Sequence, residues 1–308
     1  MLDSIYGAIA LGLLYALMAL GVYITFRILD FPDLTVDGSF ATGGAIAAIM
    51  ISQGYSPLLA TLAAFGGGLA AGACTGLLHT KGKVNGLLAG ILMMIALYSI
   101  NIRIMGRPNV SVVNTETLLS PIMKPIGLFI LVMAIAVIIV KLLLDAFLHT
   151  DIGLALRATG DNERMIRSFG ANTDRTKILG ISLSNGLVAV SGALIAQQGG
   201  FADISMGVGM IVIGLASVII GEAIFGARSV FIATLAVVLG SVVYRIVVAL
   251  ALRVELFKSS DLKLVTALIV IVALVVPYIR RMMKQKSVAR RRSAELLAAV
   301  SQGKGGNS

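Results

Sequence analysis

Apolar runs recur along this chain, and several of about 20 residues are each long enough to cross a hydrocarbon core of about 30 Å. They span Ser4 to Phe26, Ser39 to Gln53, Leu58 to Leu78, Asn85 to Ile104, Ile126 to Leu148, Ile178 to Gln197, Gly207 to Phe225, Ser229 to Leu252 and Leu262 to Tyr278. No soluble domain has use for so many. With 58% hydrophobic and 13% charged residues, the 308-residue chain departs from soluble usage in the same direction. Runs of this length exclude a β-barrel, whose strands are about ten alternating residues. The fold class is therefore all-α polytopic membrane protein, with about nine passes, the second of them short and rich in glycine. Thirty-four glycines imply close helix packing through small residues.

Charge sets the orientation. The segments richest in Lys and Arg are His79 to Lys83, His149 to Lys177 and the tail from Arg280, and alternation along nine passes places all three on one side. By the positive-inside rule that side is the cytoplasm, so the N-terminus lies outside and the C-terminus inside. The tail, residues 280–308, carries a net +7 of the formal +10 directly after a span. This pattern attracts anionic lipid headgroups and makes a nucleic-acid role unnecessary. The first run has no basic region before it and exceeds a signal-peptide core, so it reads as a retained span of an inner or plasma membrane. Residues 1–279 thus form one transmembrane domain, with a cytoplasmic loop at 149–177.

Between the first two runs lies Leu29 to Phe40, LDFPDLTVDGSF, with three aspartates and a proline. Phe31-Pro32-Asp33-Leu34-Thr35 is echoed by Phe201-Ala202-Asp203-Ile204-Ser205, and each motif precedes a glycine-rich apolar run. The first and sixth runs, and the third and eighth, share the same offset of about 170 residues. Five passes separate equivalents, so the halves run in opposite directions, as in the inverted repeats of many transporters. Irregular backbone at membrane depth survives only against protein or a water-filled cavity. Asp33, Thr35, Asp37 and Ser39, with Asp203 and Ser205, are therefore candidates for a path or gate; the alternative for Asp33, Thr35 and Asp37 is that they cap the next helix.

Other polar residues in apolar runs carry weaker signals. Asn101 and Arg245 are candidates for the path or an interface, since polar groups at depth are functional by default. Arg103, Lys141 and Asp145 fit interfacial snorkelling. Gly68, Gly72 and Gly76 repeat at four-residue spacing and predict a packing face. Cys74 reads as a small buried hydrophobe, while His79 and His149 are too few for a metal cluster. The sequence holds no GxxxxGK[ST] loop and no assignable catalytic triad, so energy comes from a partner or an ion gradient and no enzyme activity is expected here.

The longest polar insertion, HTDIGLALRATGDNERMIRSFGANTDRTKILGISLSNG, contains an amphipathic helix. Asp161, Asn162 and Glu163 supply its cap and acidic first turn, Met165, Ile166 and Phe169 its apolar face, and Gly170 its end. The order Gly153-Leu154-Ala155-Leu156-Arg157-Ala158, Asn162, Ile166 and Gly170-Ala171-Asn172 resembles the coupling loop of ABC-importer permeases of the branched-chain amino acid and ribose type. The front, SIYGAIALGLLYALMALGVYITFRILDFPDLTVDGSFATGGAIAA, resembles that family's first helix and its irregular connection to the second. VIIGEAIFGARSVFIATLAVVLGSVVYRIVVALAL and DLKLVTALIVIVALVV follow its carboxy-terminal pattern, although Glu222 and Ala227 stand where the family has small residues or Gly.

This resemblance implies a permease subunit for a small solute, an amino acid, branched-chain or aromatic, with sugars or nucleosides as alternatives. It implies a second permease copy, two cytoplasmic ATPases holding ATP and Mg, and an external solute-binding protein or lipoprotein. The chain itself would bind no cofactor. Arg157, Asp161, Asn162, Glu163, Arg164, Met165, Ile166, Phe169 and Gly170 would then contact the ATPase. The rival is a secondary transporter in which Asp33, Asp37 and Asp203 handle substrate or protons.

Overall fold

The computed structural model describes residues 2–113 and 115–252, with scattered helical positions between 264 and 275. Among the described residues up to 252, nine α-helices follow in order: α1 (Leu2–Val22), α2 (Thr35–Ser52), α3 (Pro57–Thr80), α4 (Gly86–Met105), α5 (Ile126–His149), α6 (Asp151–Ser168), α7 (Thr173–Gly199), α8 (Met210–Phe225) and α9 (Val230–Ala251). Strands β1 (Asn109–Ser111) and β2 (Phe201–Asp203) pair antiparallel, Asn109 opposite Asp203 and Ser111 opposite Phe201. Among the described residues seven helical stretches are long and apolar enough to cross a membrane, and α8 is a shorter apolar helix. Eight of the nine expected runs thus carry a helix, while most of Leu262 to Tyr278 and all of the basic tail lie outside the described residues.

Local chemistry places the boundaries. Ser56, Asn85 and Ser229 cap α3, α4 and α9 by accepting N–H bonds from Leu59, Leu87 and Ile232, and Pro57 occupies the first turn of α3. Gly106 and Gly200 end α4 and α7 with left-handed backbone. The first span continues past α1 as a π-helical stretch, Tyr23–Ile28. The short second pass is longer than expected, because α2 begins at Thr35 rather than Ser39.

The two halves pack reciprocally. Helix α1 lies against α9 as α7 lies against α3; α2 lies on α3 as α8 lies on α9; α2 meets α7 as α8 meets α1. Helices α1 and α7 cross antiparallel, with Ser191 Oγ donating to the Leu14 carbonyl (2.8 Å) and Ser184 Oγ to that of Gly21 (2.6 Å). This reciprocity among the described helices is the contact pattern that an inverted repeat would give. The packing is close because small residues permit it. A Cβ on Gly72 would stand 2.5 Å from the Ile181 carbonyl oxygen and one on Gly76 2.9 Å from Ile178 Cα. The glycine stripe of α3 thus seats α7, and Ser241 Oγ of α9 donates to the Gly12 carbonyl of α1 (2.8 Å).

Two readings of the sequence need correction. Lys141 and Asp145 do not snorkel. They are buried, and Nζ and Oδ2 lie 2.5 Å apart, an ion pair by distance though not aligned as a hydrogen bond. Thr234 of α9 donates to Asp145 (2.7 Å), and Lys141 Nζ sits 3.1 Å from the centre of the Phe231 ring, so the pair fixes α5 to α9. Cys74 is exposed, because α3 turns its glycines and Thr75 inward and leaves Cys74 outside.

Candidate functional site

Asp33 is fully buried where the chain breaks between the first span and α2. Its Oδ1 accepts the Thr35 N–H (2.9 Å) and its Oδ2 the Asn185 side-chain amide (2.7 Å). Asn185 also accepts from Ser39 Oγ (2.7 Å) and donates to the Ile181 carbonyl (2.9 Å). Thr35 and Thr75 hydroxyls lie 2.7 Å apart. One amide of α7 therefore clamps the entry to α2, and α3 holds it from the other side. Every polar atom named here has a partner, which is the condition for polar backbone at this depth.

The echo repeats the local bond. Ser205 N–H donates to Asp203 Oδ1 (2.8 Å), two residues on, as Thr35 does to Asp33. The surroundings differ. Phe31 packs edge-on to His79 at the end of α3, whereas Phe201 is exposed and pairs with Ser111 beyond the end of α4. The two motifs thus lie at opposite ends of the bundle, and Ser205 is exposed where Thr35 is buried.

Asp37 joins them. The backbone after Ser205 turns inward, and Gly207 packs on the first turn of α2, where a Cβ would collide with the Asp37 carbonyl. The Asp37 carboxylate then accepts from Gly209 N–H and Ile211 N–H, both at 2.8 Å. Capping was the expected alternative for this residue, but the helix it caps is α8, not its own. Residue Leu34 at the start of α2 provides no side-chain cap. An acidic group at a helix N-terminus satisfies orphan donors and the macrodipole together.

Beside this junction is a cavity of about 310 Å³, lined by Asp37, Gly38, Ala41, Met94, Ile95, Tyr98, Asn101, Ile204, Gly207 and Val208. It lies where α2, α4 and the inward-turning segment before α8 converge, so it touches both breaks. Asn101 is 1% exposed; its Nδ2 donates to the Gly38 carbonyl at 3.4 Å, and its Oδ1 has no hydrogen-bond partner.

At the end of the bundle that carries Phe31, α6 is longer than the expected amphipathic stretch and bends at Asn162 (φ −157°, ψ 90°). Thr150 caps its first part, and Asn162 Oδ1 accepts the Met165 N–H (3.1 Å) to start the second. Gly170 ends it at φ +84°. Met165 (48%) and Phe169 (78%) are exposed on a helix that no other described element covers there. An ionic network roots this helix in α7: Glu163 to Lys177 (2.7 Å) and Arg167 (3.0 Å), and Arg167 to Asp174 (2.8 Å). Partial burial pushes the Glu163 carboxyl up, but the Lys177 hydrogen bond and charge, with Arg167 and Thr173, outweigh it and hold the group below its ordinary value. Arg157 and Asp161 line a separate polar pocket with Arg27 and Glu222, which pair at 2.9 Å; Arg164 is exposed. The acidic side chain at 222 thus answers the basic one at 27.

Of the sequence candidates, Asp33 and Ser39 meet at Asn185, Thr35 joins them through Asp33, and Asp37 and Asn101 share the cavity. Asp203 and Ser205 stand just outside it. Arg245 is not among the lining residues; its guanidinium stacks 3.7 Å from the Tyr15 ring, between α9 and α1. Asn185, Thr75, Met94 and Tyr98 were not singled out from sequence. Asn185 carried a usable signal, an amide inside an apolar run; Met94 and Tyr98 carried none.

The model of a permease-component family of branched-chain amino acid transport systems matches residues 4–276. A tyrosine transport system permease protein of Clostridioides difficile (strain R20291) is 42% identical, over 88% of this chain and 90% of its own. The ribose import permease protein RbsC of Escherichia coli (strain K12) is 31% identical over 58% of this chain and 56% of its own. Among solved structures, an inward-facing metal-chelate type ABC transporter covers 91% of this chain and 85% of that one at 18% identity, with a TM-score of 0.49.

Proposed function

The chain belongs to the permease-component family of branched-chain amino acid transport systems, a multi-pass bacterial inner-membrane protein, and we propose that it forms the membrane path of an ATP-driven importer for an aromatic or branched-chain amino acid. An external binding protein delivers the solute, two ATPases hold ATP and Mg on the cytoplasmic side, and a second copy of the chain completes the path. The similarity to a tyrosine transport permease over nearly the whole of both chains supports the amino acid over a sugar.

The observation that carries the mechanism is the line of fixed contacts from the second part of α6 to the cavity. Exposed Met165 and Phe169 offer an apolar face to a partner, and Glu163 and Arg167 tie that helix to the start of α7. Twelve residues on, about 18 Å along a helix, α7 presents Asn185 to Asp33 and Ser39. Four residues past Asp33, Asp37 caps α8 beside the cavity. A rigid displacement of α6 by the ATPases is thereby delivered to both breaks, and inward- and outward-facing states exchange as nucleotide favours one of them.

Replacing Met165, Ile166 and Phe169 together by Ser is expected to abolish ATPase co-purification or uncouple hydrolysis from uptake; unchanged assembly and transport would remove the docking assignment. Uptake in proteoliposomes should stop with a hydrolysis-dead ATPase and persist when the proton gradient is collapsed. The reverse pattern favours the secondary transporter.

A further inference from the structure

The cavity beside Asp37 has a wall chemistry that a passive conduit does not require. Ala41, Met94, Ile95, Tyr98, Ile204 and Val208 give it an apolar, polarizable surface, and Ile95, Tyr98 and Val208 are 59%, 53% and 62% exposed. None of its lining residues is cationic. Its one carboxylate is engaged by the Gly209 and Ile211 N–H groups. The N-terminus of α8, which would otherwise favour an anion, is therefore already neutralised. What is left unpaired is the Oδ1 of Asn101, a buried acceptor on a side chain that lines the cavity. Buried acceptors are seldom left without a donor. The volume, about 310 Å³, sits at the small end of the range for small-molecule sites.

We propose that this cavity is a solute site within the permease itself, taking the aromatic side chain of an amino acid, with Asn101 accepting a hydrogen bond from it. Tyr98 and Met94 supply the ring and thioether contacts such a side chain favours. The charged ammonium and carboxylate of the amino acid stay outside the apolar walls, at the open side. A sugar is disfavoured, because apolar walls and one acceptor would leave most of its hydroxyls without partners. The inference rests on the permease reading above and deepens it, since selection is then shared between the binding protein and the path.

The test uses the complete transporter in nanodiscs and proteoliposomes. Photolysis with 4-azido-L-phenylalanine is expected to label residues 94–101 or 204–208, with labelling suppressed by excess L-tyrosine but not by ribose, and lost in Ile95→Trp, which fills the cavity from its exposed side. In uptake, Asn101→Leu should lower the tyrosine-to-phenylalanine rate ratio about tenfold, the scale of one lost hydrogen bond; a ratio is read because a looser α2–α4 contact would slow both solutes alike. Labelling elsewhere, equal competition by ribose, or a ratio unchanged from wild type would overturn the solute site while ATP-driven uptake stands. Absence of ATP-dependent uptake of any solute by the wild-type complex would overturn the permease reading and the site with it.

Discussion

Asp33-Leu34-Thr35 and Asp203-Ile204-Ser205 form the same bond two residues apart, yet one motif is sealed inside the bundle and the other stands at its rim. At the first, an amide from α7 and a hydroxyl from α3 complete the polar set; at the second, a two-stranded ribbon with Asn109 to Ser111 holds the backbone and Ser205 stays exposed. A repeated sequence motif fixes the local turn. The environment fixes how strongly that turn is held, and so which break can move at low cost. The inner break is the anchored one, and the segment after Asp203 is the freer wall of the cavity.

The largest expected effect probes the anchored side. Asp33→Ala should destabilise the purified protein by about 3 kcal/mol, since it strips hydrogen-bonded partners inside a dry core, whereas Asp203→Ala should cost about 0.5 kcal/mol; equal losses in thermal denaturation would erase the distinction. Next, a double-mutant cycle between Asp33 and Asn185 should return a coupling of about 1–2 kcal/mol, and one between the strand partners Asp203 and Asn109 should return nearly none. Asp37→Ala removes the cap of α8, worth about 1 kcal/mol, and should speed amide exchange at Gly209 and Ile211 specifically; protection unchanged there would break the link between the two halves.

The smallest effect is a pH dependence away from both breaks. Because Glu163 titrates below its ordinary value, its ion pairs contribute fully above about pH 4.3 and are lost as pH falls through the depressed folded-state value. Amide exchange across residues 163–170 should be flat from pH 5 to 8 after correction for the intrinsic rate, and should rise only in stronger acid. A rise near neutrality would assign the hold on this helix to another group.

Hydropathy made the helices legible, because the bilayer imposes one length on every span; it placed α3, α4, α5 and α9 within a few residues. Self-similarity exposed the Asp-x-Thr and Asp-x-Ser turns. The reach of Asp37 into the other half was not legible, since nothing in the linear order says which helix start a carboxylate will find. Lys141 and Asp145 were misread for a related reason: a span end and a buried helix contact look alike until Thr234 and Phe231 are brought against them. Met94 and Tyr98 were hidden by the solvent itself, since lipid-facing, partner-facing and cavity-facing side chains are all apolar in a membrane.

Among the described helices α5 has no counterpart in either half, and most of its side chains are exposed or only partly buried. Two copies of a four-span unit joined end to end would enter the bilayer with the same orientation; an additional crossing between them reverses the second. In that light α5 has the place of a connector between the two reciprocally packed halves. A splint laid along the outside of a finished bundle needs one firm peg, and the charge pair at Lys141 and Asp145, set into α9, is placed to be it.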